Sequence, residues 1–220
     1  MGTKSTAGPA GRASRPRPTN SVRDELRELT RNRLIAAAQE IFEQHGFNRG
    51  SVGSIAAAAR VNRATFYHHF NDKLTLFKAL WNQNLGDASE YWRLVDTALA
   101  GGDAKELVAA LSHTMVWYEL HGGLLATATE VALVEPDFAR EMDGTFRTLA
   151  GRMHQYFGRV PRTKMPSARL RMQLLMQQID QLGRQMVVEK SNDIGLGVSR
   201  DELFTELAEI WLDTLPNARD

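Results

Sequence analysis

The stretch Ser51–Lys73, SVGSIAAAARVNRATFYHHFNDK, constrains the fold of this chain more than any other. Two helix-start signals stand eleven residues apart in it, Ser51 and Asn62, each with a side chain able to accept from the free backbone N–H groups of a first helical turn. The first helix must therefore stop near Arg60. Its residues Val52, Ile55, Ala56 and Ala59 fall at helical spacing and form a narrow apolar face of mostly small groups, which another helix can approach closely. In the second helix Phe66 and Phe70, four apart, share one face and are expected to anchor it inward.

The other faces of that second helix carry Arg63, Thr65, Tyr67, His68 and His69, with Lys73 on the next turn and no acid before Asp72. Arginine can fork onto the acceptor edge of guanine, and Thr, Tyr, His and Lys suit phosphate oxygens and thymine methyls. A helix–turn–helix uses these residue types, with its second helix in the major groove. Spacing alone leaves open an ordinary amphipathic helix with a solvated basic face.

The segment resembles the DNA-binding domain of the tetracycline-repressor (TetR) family of transcriptional regulators. Val52, Ile55, Ala56, Ala59, Val61, Thr65, Phe66, Tyr67, His69, Phe70 and Lys73 carry the likeness, in the arrangement T-[LF]-Y-x-[HY]-F-x-x-K. Upstream, Ile35, Ala37, Ala38, Phe42, Gly46 and Phe47 are similar to the family's first helix and its exit. Two positions depart from the pattern. Arg60 stands where the family usually has glycine, so a left-handed backbone there would carry a cost. Gly53 stands where a base-reading side chain often sits. The resemblance implies an all-helical protein: a three-helix DNA-binding domain over residues 21–73, then a helical bundle over 74–220 that binds an effector and dimerises through its last two long helices. On this reading Arg63, with Arg60 or Ala64, reads base edges, and Arg49, Ser51, Thr65, Tyr67, His68, His69 and Lys73 hold phosphates or sugars.

The charge distribution agrees with a polyanion partner for the N-terminal part only. The net charge of +1 divides into 13 Lys and Arg against 6 Asp and Glu through Leu80, then 14 against 20 beyond it. Residues 1–20 hold Lys4, Arg12, Arg15 and Arg17 among Gly, Pro, Ser and Thr, with no acid, and are expected to be a disordered basic arm. It is either a solubilising tail or an arm that tracks phosphates. There is no cysteine, which excludes disulfides, thiolate metal sites and cysteine nucleophiles. No run has the length of a membrane span and no apolar leader follows the N-terminus, so a soluble cytoplasmic protein is expected.

Helical periodicity continues along the rest of the chain. Ser21 with Asp24 suggests a capping box for a first helix through Leu26, Leu29, Leu34, Ile41 and Phe42, ending at Gly46 in a left-handed conformation. A long element from Lys73 through Trp81 and Trp92 ends at Gly101-Gly102. Asp103 opens another helix, and Leu124–Val134 a short apolar one. After Pro136 a single helix is expected to run from Phe138 to Phe157. In the last two long helices Leu175, Ile179, Leu182 and Met186, then Leu203, Leu207, Ile210 and Trp211, form apolar stripes expected to meet a second copy. A Gly-bearing loop over residues 192–198 separates them, and Ser199 with Glu202 caps the second. About nine helices and no strand are expected.

Trp81, Trp92, Trp117, Tyr118, Met142, Phe146, Met153, Met172 and Met176 are adaptable, bulky side chains of the kind that line an apolar cavity, or equally that fill a helical core. The resemblance favours a small apolar effector among them. No nucleophile elbow, phosphate loop or dinucleotide fingerprint is present, and the histidines do not pair at ligand spacing, so neither an enzyme, a cofactor nor a metal is expected. The expected function is that of a homodimeric regulator, a repressor released from a palindromic double-stranded DNA operator by its effector. A helical ligand carrier without operator binding is the alternative.

Overall fold

The computed structural model describes residues 22–187 and 197–216. The basic arm over 1–20, the helix start at Ser21 and most of the loop over 192–198 lie outside the described residues. Within them the chain forms ten helices and no strand.

Helix α1 (Val22–Arg49) buries Leu34, Ile35, Ala38 and Phe42, but Val22, Leu26 and Leu29 are exposed. Its first two turns thus project past the core, although Leu26 and Leu29 continue the helical spacing of the apolar residues. The helix breaks at Gly46 (φ 77°, ψ 166°). This is not the left-handed helical conformation expected there but a more extended one, essentially restricted to glycine. The break folds Phe47 back onto Phe42, their rings 5.4 Å apart.

Helices α2 (Val52–Ala58) and α3 (Arg63–His69) start at Ser51 and Asn62, whose side chains accept from the Ser54 and Thr65 backbone N–H groups. Asp72 opens α4 (Lys73–Gly101) in the same way, and Gly102, left-handed at φ 73°, ends it. Gly86 does not interrupt this 29-residue helix. Then follow α5 (Ala104–Leu120), capped by Asp103, α6 (Gly122–Val134) and α7 (Pro136–Gly151). The single helix expected from Phe138 to Phe157 is broken at Arg152 and Met153, and a separate turn, α8 (His154–Phe157), follows. Nothing local caps α8. Its first N–H groups, Gln155 and Tyr156, donate to the buried carboxylate of Asp96 on α4 at 3.0 and 2.8 Å. A partner 59 residues away thus satisfies donors that burial would otherwise leave unpaired. Helices α9 (Met165–Val187) and α10 (Arg200–Thr214) complete the bundle, the latter with the Ser199–Glu202 capping box.

Helix α4 is the axis of the molecule, packing against α1, α5, α7 and α8. Helix α5 lies beside it and carries α10, while α9 rests on α5, α6 and α7. Gly183 of α9 lies beneath the Tyr118 ring of α5, where a Cβ would collide with it, so this glycine serves a close approach inside the chain. A ladder of aromatic rings joins the N-terminal helices to the bundle. Phe42 and Phe47 meet Phe77 at 5.7 and 5.6 Å, Phe77 meets Phe138 at 5.2 Å, and Phe138 meets Trp81 at 5.9 Å. Most of these pairs are edge-to-face, an arrangement that adds about 0.5–1.5 kcal/mol each beyond burial.

Candidate nucleic-acid interface and ligand cavity

The α2–α3 unit is anchored by Ile55, Ala56, Phe66 and Phe70, all buried, which turns the polar faces of α3 outward. Arg49, Arg60, Arg63, Ala64, Tyr67 and His68 are exposed, Tyr67 by 55%. The turn is made by Arg60 at φ 57°, the one positive-φ residue other than glycine among those described. Its N–H donates to Ala57 O, and that of Val61 to Ala56 O. This is a Schellman ending, in which the left-handed position usually belongs to glycine. An L side chain there costs about 1–2 kcal/mol. Arg33 of α1 steadies the turn by donating from Nη2 to Ala59 O at 2.7 Å, on the last carbonyls of α2.

Gly53 and Arg63 form one unit. The Arg63 guanidinium lies over the Gly53 Cα, where a Cβ would come within 2.6 Å of Nη2. The missing side chain at 53 thus makes room for the arginine on α3. Thr65 Oγ1 bonds to Asn62 Oδ1 at 3.0 Å, and Ser51 Oγ sits in its capping box with Ser54, so both hydroxyls are already ordered by the helix starts. His69 is half-buried, and partial burial, then His68, Arg27 and Arg31, hold its pKa below the usual histidine value.

Lys73 sits differently from its expected place on phosphate. Its ammonium turns inward, donates to Phe47 O at 2.5 Å and Gly50 O at 2.9 Å, and lies 4.1 Å from the Phe47 ring centroid. Partial burial lowers its pKa, with Glu130 opposing that shift. Glu130 of α6 grips the other side of the same corner, accepting from Phe47 N–H at 2.8 Å and Asn48 N–H at 3.0 Å. The segment entering the helix–turn–helix is therefore held between a lysine on α4 and a glutamate on α6. Sequence reasoning passed over Glu130, though it is the one charged residue in the otherwise apolar run of α6.

Six of the nine aromatic and Met candidates converge. Trp81, Trp92, Trp117, Tyr118, Met142 and Phe146 line one cavity between α4, α5, α7 and α9, with Leu85, Thr145, Asp180 and Arg184 among the other walls. Met153, Met172 and Met176 do not reach it. They are fully buried elsewhere, as ordinary core. The space is small as it stands, about 20 Å³ for the centre of a water-sized sphere, room for about one water. An open groove of about 490 Å³ adjoins it across Leu85, Thr145 and Leu149, and runs between α4 and α7 past Gly86 and Gly144.

The cavity also has polar walls that the search for apolar stripes missed. Asp180 and Arg184, one helical turn apart on α9, pair at 2.8 Å and are both largely buried. Tyr118 Oη donates to Asp180 Oδ1 at 3.2 Å, and burial, then Asp180, pushes the Tyr118 pKa well up.

The expected association stripe divides in two. Ile179 and Trp211 are 0% exposed, and Leu175 nearly so, because they pack into the chain's own core and have no surface to offer a second copy, whereas Leu207, also buried, still forms part of the floor of a groove. Leu203, Leu182 and Met186 are half-buried and Ile210 is 44% exposed. Leu182, Leu203 and Ile210 line a groove between α9 and α10, and Leu170 and Leu174, not anticipated from sequence, are exposed on α9. No group of residues able to hold a metal occurs among the described residues, and none of their helices is long and apolar enough to cross a membrane.

Residues 34–80 match the family model described as bacterial regulatory proteins, tetR family. The chain is similar to the HTH-type transcriptional regulator AcrR of Shigella flexneri, 39% identical over 61 residues. It is likewise similar to the HTH-type transcriptional regulator UidR of Escherichia coli K12, 39% identical over 51 residues. These matches cover 26% and 23% of this chain and only 28% and 26% of those relatives. Over 82% of the chain and 78% of the other, the fold is shared with a tetR-family transcriptional regulator from Streptomyces coelicolor, at a TM-score of 0.57 and 16% identity.

Proposed function

We propose that this chain, whose residues 34–80 match the model of the tetR family of bacterial regulatory proteins and whose helical fold is shared with a regulator of that family, is a homodimeric, cytoplasmic, operator-binding repressor relieved by a small effector. The observation that carries the reading is the exposed basic surface of α3 on a buried Phe66–Phe70 anchor, with Arg63 laid over Gly53. Arg63 is the base reader. Arg49, Arg60, Tyr67 and His68 are placed to meet phosphates and sugars around it, and Ser51 and Thr65 to order the two helix starts.

One such module binds too weakly alone, so two must sit about 34–36 Å apart, one turn of DNA. The open faces of α9 and α10, through Leu182, Leu203 and Ile210 with Leu170 and Leu174, suit a two-fold contact of this kind. The cavity is the effector site. A ligand releases DNA only if it binds the undocked state better, and DNA must then weaken the ligand by the same factor.

The test is a fluorescence-anisotropy titration against the DNA flanking the protein's own gene. Arg63→Ala is expected to cost about 1–3 kcal/mol and to relax preference at one position in each half-site. Unchanged base preference in this variant would make Arg63 a phosphate contact. Absence of specific binding by the unaltered protein would favour the ligand carrier instead.

A further inference from the structure

The cavity has more hydrogen-bond donors than acceptors. Both oxygens of its carboxylate already accept, Asp180 Oδ1 from the Tyr118 hydroxyl and Oδ2 from Arg184 Nε. Two donors at the walls are not. The indole N–H of Trp81 is buried with no partner. Arg184 spends Nη1 on Thr129 Oγ1 at 2.9 Å, but its Nη2 reaches only the thioether sulfur of Met142 at 3.6 Å, a weak acceptor. Buried polar groups are normally paired, so an orphan indole N–H and an underused guanidinium on residues lining one cavity mark a place where an acceptor is missing. Of the other two indoles there, that of Trp117 donates to Asn84 O at 3.3 Å.

We infer that the effector is a flat aromatic molecule bearing a hydrogen-bond acceptor, a carboxylate or a carbonyl, taken up by Trp81 Nε1 and Arg184 Nη2. This rests on the effector reading above and specifies its chemistry. The rings of Trp81, Trp92, Trp117 and Phe146 supply flat apolar walls. A cationic aromatic is disfavoured, because the charge of the one carboxylate is already offset by Arg184, whose guanidinium would repel a second cation. Met142 is the side chain that must yield. It is long and flexible, it fills space at the guanidinium, and the closed cavity otherwise has room for little more than one water. The groove past Gly86 and Gly144 is the way in.

The experiment is isothermal titration calorimetry of the full-length protein with three ligands of one ring system: 2-naphthoate, 2-acetonaphthone and 2-naphthylmethylammonium. Carboxylate and ketone are expected to bind at least about tenfold more tightly than the ammonium compound. Trp81→Phe keeps a ring and removes the donor, and is expected to weaken the two acceptor-bearing ligands about 5–10-fold without moving the third. Met142→Ala is expected to tighten them. The ligand series on the unaltered protein decides the matter even if Trp81→Phe folds poorly. Equal affinity for all three would overturn the acceptor assignment and leave the effector cavity standing. No binding of any of them, to the unaltered protein or to Met142→Ala, would overturn both.

Discussion

Glu130 offers the sharpest test of how the DNA-binding module is fixed to the bundle. Its carboxylate accepts two backbone N–H groups, 83 and 82 residues away, at the corner where α1 breaks before the helix–turn–helix. Hydrogen bonds to a charged group contribute about 1.5–3 kcal/mol each, and the lower end applies because Glu130 is only half-buried. Glu130→Ala is therefore expected to cost about 3 kcal/mol, and Glu130→Gln about half of that, since an amide oxygen still accepts one of the two. The loss should concentrate locally. In native-state hydrogen exchange the Phe47 and Asn48 amides are expected to exchange about a hundredfold faster in Glu130→Ala, while amides in α5 and α10 change less. Thr129, next to Glu130, is bonded to Arg184 on the cavity wall, so under the proposed function the same variant should also weaken the coupling between effector and DNA. Unchanged protection at Phe47 and Asn48 would refute the reasoning and leave Lys73 and the Gly46 backbone as what holds the corner.

Two other substitutions probe the helix ends around the same module. Arg60→Gly removes the left-handed strain of an L side chain and is expected to raise the urea midpoint by an amount equivalent to about 1 kcal/mol, while lowering DNA affinity and its salt dependence through the lost charge; a lower midpoint would mean that Arg60 is held by contacts outweighing its strain. Asp72 is held below its ordinary pKa first by the Thr75 backbone N–H and then by the Thr75 hydroxyl. A depressed carboxylate stabilises the fold above its unfolded pKa, and that contribution disappears as pH falls through the folded value. The unaltered protein is therefore expected to be more stable than Asp72→Asn at neutral pH and to converge with it only at acid pH, below the ordinary carboxylate range, in urea titrations at several pH values; a gap independent of pH would show that the charge is irrelevant to the cap.

The parts of the fold that were legible in the sequence are those specified by residues a few positions apart. Ser51, Asn62, Asp103 and Ser199 announce helix starts because a cap bonds within one turn, and Phe66 and Phe70 announce an anchor by their spacing. What was not legible depends on partners far along the chain. The break between α7 and α8 is made good by Asp96, and Lys73 is drawn inward by carbonyls at Phe47 and Gly50. Periodicity identifies an apolar face but not what lies against it. Ile179 and Trp211 therefore read as an association surface although α5, α7 and the chain's own core occupy that side, and Met172 and Met176 read as cavity walls although they are filler. The reverse error hid Asp180 and Arg184, since a search for apolar stripes discards a buried ion pair.

The placement of the tryptophans gives the protein a built-in optical reporter. All four lie beyond the helix–turn–helix: Trp81, Trp92 and Trp117 in the cavity wall, and Trp211 stacked on Trp92 with ring centroids 6.3 Å apart. The DNA-binding module contributes no indole emission at all. Light excited near 295 nm is therefore absorbed almost entirely around the cavity, whether or not DNA is bound. Under the proposed function, occupancy of the cavity could then be followed in the presence of operator, on unlabelled protein, with quenching and spectral shift reporting one half of the proposed coupling while a dye on the DNA reports the other.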